Sequence, residues 1–161
     1  MDAGKMKIII AKKMSKILKY LEDVQRKNEK DKFIEKYMLC EAACREILCA
    51  YNKERKGTKK ETIKLNMQTI PSVMNKAGYQ FEKELLTAIF GSSNKRGEKS
   101  AKKLRDGIVH SLCVEDMDEA FNRRMQLYQE MDKFLKAMST PPSPKRNTRK
   151  HQNIRSPQKV A

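Results

Sequence analysis

Tryptophan is absent from the 161 residues, and phenylalanine and tyrosine occur five times each. Glycine occurs six times, proline five times and histidine twice. So few aromatics, with Val, Ile and Tyr not gathered in alternating runs, disfavour a β-sandwich or barrel and favour a helical protein. Long apolar runs are missing too. None approaches the ~20 residues that a membrane-crossing helix needs. The run Ile8–Ala11 is followed at once by Lys12 and Lys13, and it is too short for the apolar part of an export signal. The four cysteines are therefore expected to be reduced thiols of a cytoplasmic protein. Acids are scarce beside bases: 20 Asp and Glu stand against 36 Lys and Arg, a net charge of +16. That excess calls for a polyanionic partner, with nucleic acid first and an anionic lipid surface second.

What is present is enough apolar material, 39% of the chain, for one small core. Residues 139–161 hold six of the basic residues, none of the acids and four of the five prolines. Almost nothing in that segment is apolar, so it is expected to be a disordered basic tail behind a single helical domain, residues 1–138. Two Ser-Pro steps, Ser143-Pro144 and Ser156-Pro157, lie in it.

Within the domain, Met6, Ile10, Met14, Ile17, Leu21 and Val24 step by threes and fours and predict a helix over about 5–27. Phe33, Tyr37, Cys40, Cys44, Ile47 and Tyr51 predict a second over about 31–55, ended by Gly57 as a left-handed cap. A short helix with Pro71 in its first turn ends at Gly78, and another through Phe81–Ile89 closes at Gly91. Residues 92–97 form a polar loop. A fifth helix runs over about 98–112. A sixth carries Phe121, Met125, Tyr128, Met131, Leu135 and Met138 on one stripe. The expectation is an all-α antiparallel bundle of five to six helices.

The fifth helix breaks the pattern. At about 100° per residue, Leu104, Ile108, Val109 and Leu112 make its apolar stripe, and Arg105 falls in the middle of it. Asp106 and His110 lie beside the stripe, one turn apart. Gly107 costs the helix about 1 kcal/mol relative to Ala and leaves room for a bulky neighbour. An Arg on an apolar stripe needs a carboxylate, a phosphate or a second protein surface. The plain structural answer is a carboxylate on the second helix, and Glu41, at the edge of that helix's stripe, is the best placed. His110 is then a boundary residue and Gly107 a packing contact.

The six residues Arg105-Asp106-Gly107-Ile108-Val109-His110 also resemble the signature of the HEPN superfamily: an Arg, a polar residue, a short spacer and a His. Leu104 before the Arg and Ser111-Leu112 after the His are similar as well. So is the setting, a basic all-α chain with the motif on a late helix ahead of a long final one. The resemblance covers about residues 5–138. It implies a HEPN-like bundle and a metal-independent endoribonuclease acting as a homodimer, with toxin–antitoxin and antiviral defence systems as settings and an antitoxin as a possible protein partner. It equally allows a non-catalytic module of the same fold that binds RNA, nucleotide or protein.

Metal-free RNA cleavage needs a base, an acid and positive charge on the phosphate. The imidazole of His110 suits the first two roles because it titrates near neutrality. The planar fork of Arg105 suits the third, and Asp106 is placed to orient His110 or raise its pKa. Residues 1–138 hold a single histidine, whereas the chemistry is best served by two, and a two-fold dimer supplies them. The basic run Lys95, Arg96, Lys99, Lys102 and Lys103 leads into the motif and is expected to track RNA phosphates. No cofactor and no metal is expected. Cys40 and Cys44, one turn apart, read as small core residues rather than half a metal site, and the chain has no Walker glycine loop.

Overall fold

The computed structural model describes residues 3–25, 29–51 and 64–140. They form seven helices: α1 (Ala3–Gln25), α2 (Glu29–Tyr51), α3 (Ile70–Ala77), α4 (Lys83–Phe90), α5 (Ala101–Ser111), α6 (Val114–Asn122) and α7 (Arg124–Ser139). Among these residues there is no strand, only one isolated bridge between Ser93 and Lys99. The expected all-α class is present. The expected cap at Gly57 and the segment 141–161 lie outside the described residues, as do the side chains of Leu21 and Val24. Ser139, expected to open the tail, is the last residue of α7.

Helix α2 is the axis of the domain and packs against α1, α3, α5 and α7. Its predicted stripe is the core: Tyr37, Cys40, Cys44 and Ile47 are fully buried. They meet Leu86, Ile89 and Phe90 of α4, Leu104 of α5 and Leu127, Met131 and Phe134 of α7 in one cluster. Phe90 stands edge-on to Phe134 with ring centroids 5.3 Å apart. Burial of each such side chain contributes on the order of 1.5–3 kcal/mol. Helix α1 supplies Ile10 and Met14 from its own stripe and runs antiparallel to α2, with Lys13 bonded to Glu46 at 2.8 Å. Helix α7 does not follow the antiparallel expectation. Lys32 lies over the Tyr128 ring, and Lys36 donates to Asp132 at 2.6 Å, so α2 and α7 run side by side in the same direction.

Local sequence explains the short helices. Pro71 sits in the first turn of α3, and Gly78, at φ 94°, closes it in the left-handed region, as its freedom from a Cβ allows. Gly91 closes α4 differently. Its φ is −79°, and glycine is required because a Cβ would stand 2.6 Å from the Thr87 carbonyl oxygen.

The expected sixth helix is in fact two, broken at Arg123. That side chain is largely buried. Its Nη1 donates to the Lys99 carbonyl at 2.9 Å and to Glu119 at 2.7 Å, and its Nε lies 3.4 Å from Glu98. A cation anchored to the loop before α5 fixes the corner between α6 and α7. The break also rotates the stripe. Tyr128, Met131, Leu135 and Met138 are buried as expected, while Phe121 and Met125 face solvent.

Candidate functional site

Helix α5 begins three residues later than its pattern predicts because the loop before it folds on itself. Asn94 Oδ1 accepts from the backbone N–H groups of Arg96 and Glu98 at 2.9 and 3.0 Å, and Gly97 turns at φ 77°. Ser100, fully buried, is the N-cap: its Oγ accepts from the Lys103 N–H at 3.2 Å and donates to the Gly91 carbonyl at 2.5 Å. One hydroxyl thus satisfies an orphan helix donor and ties α5 to the end of α4.

One turn on, Arg105 is held against α2. Its Nη2 donates to Glu41 Oε2 at 3.2 Å, its Nη1 lies 3.3 Å from Asp106, and its guanidinium stacks 4.8 Å above the Tyr37 ring. Only 16% of the side chain is exposed. The carboxylate expected for Arg105, Glu41, is therefore the one it meets, and Glu41 also accepts from Arg45 at 2.8 Å. Burial works against the Arg105 charge, but Tyr37, Glu41 and Asp106 outweigh it and hold its pKa above the ordinary value. Burial likewise pushes the Tyr37 phenol well above its usual range, opposed by Arg105. Neither the Tyr37 hydroxyl nor the Arg105 Nε has a hydrogen-bond partner among the described residues. Tyr37 gave no sign of this role in sequence, since its helical register marked it only as core.

Asp106 does not orient His110. Its carboxylate takes Lys102, one turn back, at 2.8 Å, and Arg105 beside it; these cations are nearer than the imidazole. His110 is exposed and its imidazole makes no hydrogen bond or ion pair with any described residue. At about 100° per residue, Arg105 and His110 point to different faces of α5. One chain does not bring them to a common point.

Gly107, between them, is where α6 approaches. A Cβ there would collide with the carboxylate of Asp116, which is buried and pairs with Lys99 at 2.5 Å. The bulky neighbour that the mid-helix glycine calls for is thus this side chain. Helix α5 then ends at Leu112, a non-glycine residue in the left-handed region at φ 47° and 73% exposed.

The basic run does not stay together. Lys95 and Arg96 line a cleft on the α4–α7 side, among Glu82, Glu84 and Glu130, with Lys95 4.0 Å from Glu84. Lys99 is committed to Asp116 and Lys102 to Asp106. Lys103 is exposed with no anionic partner and shares a groove with Lys102 and Lys83. Lys83 was missed in sequence because it is distant along the chain; only the packing of α4 on α5 places it here.

From the second half of α5 into the start of α7 the surface exposes a run of apolar side chains. Val109, Leu112, Val114, Met117, Phe121 and Met125 are all exposed. Met117 and Phe121 border a cleft of about 430 Å³ with Ile34, Ile108 and Tyr128. Cys40 and Cys44 are buried, and burial raises both thiols above their ordinary pKa, which suits the core role expected of them. Among the described residues no three His, Cys, Asp or Glu side chains gather in a way that could hold a metal ion, and no helix is long and apolar enough to cross a membrane.

No protein-family model, no curated protein and no solved structure matches this chain. The HEPN resemblance rests on its own residues.

Proposed function

We propose that the protein is a HEPN-type, metal-independent endoribonuclease whose site is completed by a second copy of the chain. The observation that carries this reading is the state of His110: an exposed, unpartnered imidazole on a half-helix that also exposes Val109 and Leu112 and leads into the exposed apolar side chains of α6. Exposed apolar surface of this kind marks a contact with another molecule, and a two-fold contact there doubles the imidazole. In this reading one His110 takes the proton from the ribose 2′-hydroxyl as its oxygen bonds to phosphorus. The partner's His110 protonates the departing 5′-oxygen, and Arg105 neutralises charge on the phosphate between them. The products are a 2′,3′-cyclic phosphate and a free 5′-hydroxyl. Arg105 reaches the phosphate by giving up Glu41 or Asp106, an exchange of one anion for another. Possible settings are those of the resemblance, a toxin or antiviral component with an antitoxin or other protein partner in the cytoplasm.

A second reading is favoured by a specific observation. Arg105 already has two carboxylates and an aromatic face, so its position is explained without a substrate. The chain is then a non-catalytic helical module that binds RNA, nucleotide or protein. Incubation of the purified protein with RNA separates the two. Cleavage that survives EDTA, leaves cyclic phosphate ends and vanishes in His110→Ala supports the enzyme. No cleavage, or cleavage that depends on added divalent metal, removes that mechanism.

A further inference from the structure

The groove beside the start of α5 is distinct from both the His110 corner and the Arg105 network. It encloses about 490 Å³ between the 65–67 segment, α4 and the N-terminal turn of α5. Lys83, Lys102 and Lys103 line it, together with Ser92 and Ser93, and no acid does. Lys83 and Lys103 have no anionic partner among the described residues. The walls are fixed: the Ser93–Lys99 bridge, the Asn94 turn and the Ser100 cap hold the loop on one side. Phe90, buried, lies beneath. A concave site whose lining holds two lysines without an anionic partner, a third paired only outside it, serine hydroxyls and no carboxylate suits phosphate oxygens.

We infer that this groove binds the sugar-phosphate backbone of single-stranded RNA and leads it along α5 toward His110. The inference rests on the RNA reading above and names the path the strand takes. Lys103 and His110 are seven residues apart, so they lie on nearly the same face of α5, separated by about 10 Å along its axis. The acids on the way are already neutralised, Asp106 by Lys102 and Arg105 and Asp116 by Lys99. RNA is favoured over a lipid surface because none of the exposed large apolar side chains borders the groove, and membrane-surface binding uses such side chains to insert. The predicted rim changes accordingly: Lys83 joins Lys102 and Lys103, while Lys95 and Arg96 face acids in another cleft.

The test is fluorescence anisotropy with a labelled single-stranded oligoribonucleotide and the full chain. Lys83→Glu/Lys103→Glu is expected to weaken binding at least tenfold and to flatten the salt dependence by about 0.7 in slope per lysine removed. Lys83→Ala is a milder second variant, and thermal melts check that each protein folds. Lys76→Glu/Lys136→Glu, at exposed lysines in the last turns of α3 and α7, matches the charge change and is expected to alter binding less than twofold. His110→Ala is expected to bind as the wild type does. Binding by the groove double variant that is no weaker than that of Lys76→Glu/Lys136→Glu overturns the groove. So does a loss confined to vesicles of phosphatidylcholine and phosphatidylserine. Groove-dependent binding without cleavage in any protein leaves the groove standing and removes the ribonuclease reading. Undiminished cleavage by the groove double variant does the reverse.

Discussion

The two halves of α5 are opposites. From Ser100 to Arg105 the helix is tied down by a buried cap, by Ala101 and Leu104 in the core and by a guanidinium held by Glu41, Asp106 and Tyr37, with Lys103 left exposed. From Gly107 to Leu112 the helix is held by the close approach of Gly107 to Asp116 and by Ile108, partly buried against the core, and it exposes Val109, His110 and Leu112. A motif that looks continuous along the chain is split in space, its Arg in a packed seam and its His on an unpartnered corner. Stability is therefore expected to concentrate in the first half, and any chemistry of His110 to depend on what covers the second.

The largest effect expected is that of Leu104→Ala, which empties a fully buried site and should cost about 2–5 kcal/mol in denaturant unfolding. Val109→Ala, half exposed in the second half, should cost less than about 1 kcal/mol. Equal losses would erase the contrast. Gly107→Ala comes next. It gains helix propensity but drives a methyl into the Asp116 carboxylate, so a net loss of about 1–3 kcal/mol is expected. In an Asp116→Ala background the same change should stabilise by up to about 1 kcal/mol, and a double-mutant cycle with no coupling would deny the contact.

Arg105→Ala should cost about 1–2 kcal/mol by leaving Glu41 with one cation fewer and Tyr37 unstacked, whereas His110→Ala should stay within about 0.5 kcal/mol. A large stability loss at His110 would mean that the second half is not free. A further effect of about the size of a single weak contact belongs to alkaline pH. The folded Tyr37 phenol titrates above its unfolded value of about 10, so its stabilisation is complete below that pH and is lost as pH rises toward the folded value. Tyr37→Phe should lose about 1 kcal/mol less than the wild type between pH 10 and 11. Parallel stability curves for the two proteins would show that the phenol is not held neutral.

Much of the fold was legible because it follows from periodicity. The stripes Ile10–Met14 and Tyr37–Ile47 repeat every three to four residues, and burying them requires helices wherever they pack. Pro71 and Gly78 marked the limits of α3 through backbone chemistry alone. The α6–α7 break was not legible, because the apolar steps through Phe121 and Met125 continue across it. What stops the helix is Arg123 reaching the Lys99 carbonyl and Glu98, partners more than 20 residues away along the chain. At the candidate site, the need of Arg105 for a carboxylate and its pairing with Glu41 were readable, since a charge in an apolar stripe must be compensated. The separation of Lys95 and Arg96 from Lys103 was not, because neighbours in a loop need not share a face.

By itself, then, the sequence determined a basic, all-helical protein, the core stripes, the capped short helices and an Arg–His pair on one helix. These are local or periodic properties, set by propensity, by spacing and by the cost of burying an unpaired charge. Tertiary structure alone decided that Arg105 is held while His110 is exposed, that Gly107 admits Asp116, and that Lys83 stands with Lys102 and Lys103. Each of those depends on which distant segment packs against α5, and no pattern within the helix records the identity of its neighbours.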